Sequence, residues 1–310
     1  MAGGLTLSAL ATPERLQKLR RGLVPALAVL SFLLFLVITF PYETMARRIE
    51  AEARRTGADL TIGSAGGHGL FGLRARDVRL HPASSGAEPM PELRFDRVDV
   101  SPDLFALLFR RTSFGFRLEA YGGMARGHAS LSNDPKLPGL QSLRLSSSDL
   151  DLRALPLKEL AGIEANGRAS LQIDVESLQP PETAAGTLAL TGRQAAVTSG
   201  NVSGFPVPRT TIGDLDAAVT IDKGVARVDR AQARGGDLDL DADGTVRLRA
   251  LLALSQADLH VRFRPTDRWL NDNAVIKSAL GLVQNARQPD GSYVFSFSGP
   301  LSRLSSRPGR

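Results

Sequence analysis

Hydrophobic and polar positions alternate with a period of two along most of this chain, after one apolar run near its start. Leu23–Phe40 carries no charged side chain, and about 18 such residues are the minimum for a helix that crosses a hydrocarbon core. Beyond it, Tyr42–Gly57 predicts an amphipathic helix continuing from the apolar run after a break at Pro41. Ala46, Ile49 and Ala53 form its apolar face and Gly57 supplies the stop. Strands follow: Leu60–Ile62 is short, Leu73–Leu80 and Leu93–Val100 are longer. In the last of these, Leu93, Phe95 and Arg97 fall on one side, and Arg94, Asp96, Val98 and Val100 on the other. The slip of phase near Arg97 predicts a β-bulge.

Ser101–Arg111 reads as a short helix, capped by Ser101 or Asp103, with Leu104, Leu107 and Leu108 on its apolar face. Phe114–Tyr121, Met124–Leu131, Gln141–Leu152 and Ala169–Val175 predict strands, with a second short helix at Leu155–Ile163. The second half predicts strands at Gly186–Leu190, Leu215–Ile221, Val225–Ala233, Leu238–Leu248, Ala257–Phe263 and Tyr293–Phe297. Thr266–Ala286 reads as one long helix between the last two. Strands of about eight residues separated by glycine-containing turns predict a mainly β fold with a few helices. The sheet is a meandering antiparallel one, either an open groove or a flattened sandwich. Loops are expected at 82–91, 132–139 and 178–185, and the last, with Pro180-Pro181, divides the sheet into two lobes.

Charge sets the expected topology. Residues 1–22 carry Arg15, Lys18, Arg20 and Arg21 against Glu14 alone, so they are read as a basic tail that stays in the cytoplasm. Leu23–Phe40 is then a transmembrane helix in a bacterial inner membrane, and 41–310 a β-rich domain on the periplasmic side. A cleaved secretory signal is the competing reading, but Thr39-Phe40-Pro41-Tyr42 lacks the small-residue cleavage pattern. With no cysteines, thiol catalysis and cysteine metal sites are excluded. Of the net charge of +6, +3 lies in residues 1–22 and the rest is spread along strands where arginines alternate with acids, so no basic stripe for nucleic acid exists.

Candidate chemistry is sparse. His68, His81, His128 and His260 are scattered without metal-ligand spacing and read as structural or surface residues. Gly63–Gly69 is glycine-rich but lacks the ending of a phosphate loop, so it reads as a flexible turn. Asp239, Asp241 and Asp243 with Gly244 match the start of a calcium loop. However, Ala250 stands where the bidentate Glu belongs, so a strand with an acidic outer face is the better reading. No G-x-S-x-G motif occurs. No residue is nominated as catalytic, cofactor-binding or metal-binding. Two non-enzymatic readings survive, an interaction module that docks through sheet edges and a groove for an apolar ligand.

Phe40–Ile49, Leu60–Gly63, Gly69–Ala75 and Val78–Leu80, with the terminal Asp290–Leu301 segment, together carry a resemblance. The chain resembles the GspN family of type II secretion system proteins, in the form found in delta-proteobacteria and spirochaetes. Asp290–Leu301 is also similar to the ends of AsmA-like envelope proteins, whose sheets form lipid-accommodating grooves. The resemblance implies a bitopic inner-membrane accessory component of type II protein secretion, with other secretion components as partners and no catalytic residues. The AsmA-like alternative implies a module that binds or carries phospholipid between envelope membranes.

Overall fold

A computed structural model describes Ser31 and residues 40–309, apart from 56, 70, 83–90, 110, 133, 135–138, 203–204 and 252–253. The basic tail and, save for Ser31 and Phe40, the expected membrane helix therefore lie outside the described residues. Among the described residues no helix is long and apolar enough to cross a membrane.

The period-two pattern gives what it predicts, a mainly β chain. Helix α1 (Tyr42–Arg55) leads into strands β1 (Asp59–His68), β2 (Gly72–His81) and β3 (Leu93–Pro102), then α2 (Leu104–Leu108). Strands β4 (Thr112–Ala120), β5 (Gly123–Leu131) and β6 (Leu140–Asp151), helix α3 (Leu157–Ala161) and β7 (Ile163–Glu176) follow. The second half holds β8 (Ala185–Val202), β9 (Phe205–Val207), β10 (Thr210–Asp222), β11 (Val225–Arg234), β12 (Leu238–Arg247) and β13 (Gln256–Pro265). Helices α4 (Asp267–Asp272) and α5 (Ala274–Leu282) precede β14 (Tyr293–Pro300) and β15 (Ser305–Pro308). All fifteen strands form one antiparallel sheet in which each pairs with the next in sequence, save that β8 pairs with both β9 and β10. Strands β7 and β8 pair directly across the 177–184 connection, from Val175↔Gly186 to Ile163↔Gly200.

Several elements differ from expectation. The bulge at Arg97 is absent: Arg97 pairs with Arg76 and with Glu119 in registers that run through without a shift. Instead the apolar residues change phase together in adjacent strands. Ala75 opposes Ala65 and Val98, while Val78 opposes Ile62 and Phe95. Partners thus stay opposed through the change of phase, and the backbone irregularity falls on Asp77, at φ 51°.

Gly63–His68 is not a turn but the end of β1, held by pairing with β2; only Gly69 turns, at φ 62°. The helix at 101–111 shrinks to Leu104–Leu108, with Ser101 and Pro102 in β3. Asp103 is its cap, accepting from the N–H groups of Phe105 and Ala106, and Leu104 is exposed. The helix at Leu155–Ile163 shrinks to Leu157–Ala161, because Ile163 already belongs to β7. Thr266–Ala286 divides at Asn273, whose side chain donates to the Trp269 carbonyl at 2.9 Å and so competes with the backbone for helical partners. The five-residue strand expected at Gly186–Leu190 is eighteen residues long, because β7 and β10 pair with it on both sides.

The sheet edges are blunted. Helix α1 lies along β1, buries Ala46, and places Glu50 Oε1 2.8 Å from the Ile62 N–H, which donates to it. At the other edge, β15 is four residues long and ends in Arg307-Pro308. Short edges, prolines and covering helices all discourage strand addition. Glu50→Ala is expected to cost about 1.5–3 kcal/mol, the usual worth of a hydrogen bond to a charged acceptor. It should also speed amide exchange at Ile62 while β6–β8 stay protected; denaturant titration with hydrogen exchange checks both.

Candidate ligand-binding face

Because successive side chains alternate faces and paired residues share one, the register fixes what each face of the sheet presents. A central row starts at Leu73 and runs through Val100, Phe116, Gly127, Leu145 and Ile173. It continues through Leu188, Val219, Val228, Gly244 and Leu259 to Phe297. Every member is apolar or glycine across twelve consecutive pairing strands, a width of about 53 Å at ~4.8 Å per strand. Gly127 is required there. A Cβ on it would lie 2.7 Å from the Phe116 ring and closer still to the Arg144 carbonyl.

Parallel rows widen this strip. On one side Phe114, Ala129, Leu143, Val175, Gly186 and Ile221 stand in succession, then Ala226, Val246 and Ala257. On the other, Val98, Leu118, Ala125, Ser147, Leu171, Leu190 and Ala217 do so. Ser147 is the one polar member of these three rows. It is buried, and its hydroxyl accepts from the Leu171 N–H at 3.1 Å.

Little covers the strip. Among the described residues the largest fully buried side chains are Ser255 and Ser292, and most strip residues are only half-buried. Two local covers exist. The 177–184 connection packs Leu178 and Ala184 against Val175, Ile221 and Ala226. Helix α5 sets Leu280, with Ile276, over Tyr293, Phe263 and Phe295 at the far end, where Phe263 and Tyr293 stack with centroids 5.6 Å apart.

The opposite face is polar and held by cross-strand ion pairs, among them Arg144–Asp174, Arg264–Asp239 and Arg97–Glu119. Each histidine is placed on or beside such groups. His68 lies beside Arg74 and Asp99, His81 is 3.7 Å from Glu92, His260 is 3.5 Å from Asp243, and His128 lies over Gly115. The aspartates of the calcium-like run belong to β12, where Asp239 faces Arg264, Asp241 pairs with Arg234 and Asp243 with His260. No group of three metal-ligating side chains stands among the described residues.

The most enclosed charge is Asp99, 3% exposed. Arg74 Nε donates to its Oδ1 at 2.6 Å and Nη2 to its Oδ2 at 3.0 Å, while Nη2 also donates to His68 Nδ1. The hydrogen bond from Arg74 holds the Asp99 carboxyl below the usual carboxylate range, against the opposing pull of burial. A lowered folded pKa contributes stability that is present above the unfolded value, ~3.9, and is lost as pH falls through the folded one. Asp99→Asn is therefore expected to lower the unfolding midpoint at neutral pH. The gap to the native chain should close as acid protonates native Asp99, as denaturation followed across pH will show.

No protein-family model, curated protein or solved structure matches this chain.

Proposed function

We propose that this chain is a non-catalytic envelope module whose apolar sheet face holds the acyl chains of a lipid. The observation that carries this reading is the uncovered apolar strip crossing the sheet. Contiguous apolar surface left partly open to solvent over that extent marks a lipid, ligand or partner site, and the burial pattern supports an open groove over a flattened sandwich. A hydrocarbon leaflet is about 15 Å deep, half of a ~30 Å core, so the strip has room for several chains. The polar headgroup needs no partner on it and would remain in water.

In this reading Leu23–Phe40 is the inner-membrane anchor, residues 1–22 are cytoplasmic, and the sheet stands in the periplasm. A reporter fused after Arg310 is expected to be active only in the periplasm, and cytoplasmic activity would overturn the topology. The second reading is an accessory component of type II secretion, with other secretion components as partners; it rests on the resemblance of Phe40–Ile49 and Asp290–Leu301. One experiment separates them. A photoreactive benzoylphenylalanine placed at Leu188 in the full chain, in cells, is expected to capture phospholipid, while the same probe at Thr220 on the polar face captures none. Capture of secretion proteins in place of lipid at Leu188 would favour the second reading and sink the first.

A further inference from the structure

The antiparallel meander sends every strand to one of two ends, and the exposed large apolar side chains are not shared evenly between them. The end at which β1 finishes and β2 begins carries the connections at 69–71, 103–111, 132–139, 177–184, 223–224, 248–255 and 301–304. Phe71 in the first of these is 41% exposed. In the second, Phe105 in the short helix and Phe109 in the turn that follows it are 80% and 73% exposed. At the other side of the sheet Leu251, Leu254 and Leu304 stand exposed at the same end.

The chain also enters the sheet here. Tyr42, the first residue of α1, lies against Gly67 beside the last residue of β1, and the Phe40 ring packs on Tyr42 at a tilt of 54° with ring centroids 4.9 Å apart. The uncharged Leu23–Phe40 run therefore ends at this rim. Loop tips of a water-soluble domain are ordinarily polar, and aromatic and leucine side chains at loop tips lie in membrane interfaces. The rim's charges, Arg111, Lys223, Arg249 and Arg303 with Asp103 and Glu182 among them, are of both signs.

We propose that this end of the sheet seats on the bilayer surface, with the exposed side chains of Phe71, Phe105, Phe109, Leu251, Leu254 and Leu304 inserted among the lipids. The inference rests on the anchor reading above and adds a second, independent contact with the same membrane. Apolar insertion carries it, so its strength should change little with salt.

The absence of cysteine makes the test direct. Single cysteines replace Phe105, Leu251 and, at the opposite end, Val275, which is 78% exposed. Each full chain is reconstituted in phosphatidylethanolamine–phosphatidylglycerol vesicles and labelled with an environment-sensitive fluorophore. A phospholipid bearing a nitroxide near the ester end of its acyl chain is expected to quench most of the emission from positions 105 and 251 and leave position 275 bright, in low and high salt alike. Chains that float with vesicles but remain bright at 105 and 251 would overturn the seated rim while sparing the anchor. Chains that do not float overturn both. Shielding from water without nitroxide quenching would mean that protein, not lipid, covers the rim, and would also overturn it.

Discussion

One constraint organises the described residues: an antiparallel hydrogen-bond ladder that passes from strand to strand with no second layer among them to back it. Most proteins satisfy a sheet by burying one face against helices or another sheet. Here the ladder satisfies the backbone, but among the described residues the apolar face is covered by α5 at one end and the 177–184 connection in the middle. Burial is consequently distributed. No large apolar side chain among the described residues is fully enclosed, and the strip draws its shielding from neighbouring strands.

The opposite face explains how so long a ladder keeps its register. A slip of one residue would turn the apolar rows to the polar side. It would also separate Arg144 from Asp174 and Asp239 from Arg264, which stand directly opposite one another. Exposed pairs of this kind are worth little individually. Their arrangement discriminates between registers, because a slip replaces attraction across each strand pair with mismatch. The acidic run of β12, so like half of a calcium loop, is one side of that ionic stitching.

Class and direction were legible because a period of two is a local property: Leu143, Leu145 and the alternation around them announce a half-buried strand on their own. What was not legible depends on neighbours. Thr191–Val202 lacks the period-two alternation of the other strands, yet β7 and β10 flank it and extend β8 through it. Gly63–His68 is likewise recruited by Gly72–Arg76. The long helix failed at Asn273 for a local reason, a side chain that competes for the Trp269 carbonyl, and that signal was present in the sequence. The candidate face was half visible. Each strand displayed its apolar residues, but whether Val100 meets Phe116 and Phe116 meets Gly127 is set by turn lengths and bulges, which the alternation does not encode.

The chemistry of the strip narrows what can occupy it. Its rows present one hydroxyl, on Ser147, and that group is already bonded to the neighbouring strand. A peptide laid across it would surrender hydrogen bonds with water and find no partners in return, a loss of about 1–3 kcal/mol for each buried polar group. An acyl chain has nothing to lose in this way and gains about 0.8 kcal/mol for each methylene removed from water. Since the rows repeat from strand to strand, no position along them is distinguished by a polar contact. In the proposed reading the surface would select for an apolar chain without fixing where along the sheet it lies, which is what passage along a face requires and what a closed binding pocket would prevent.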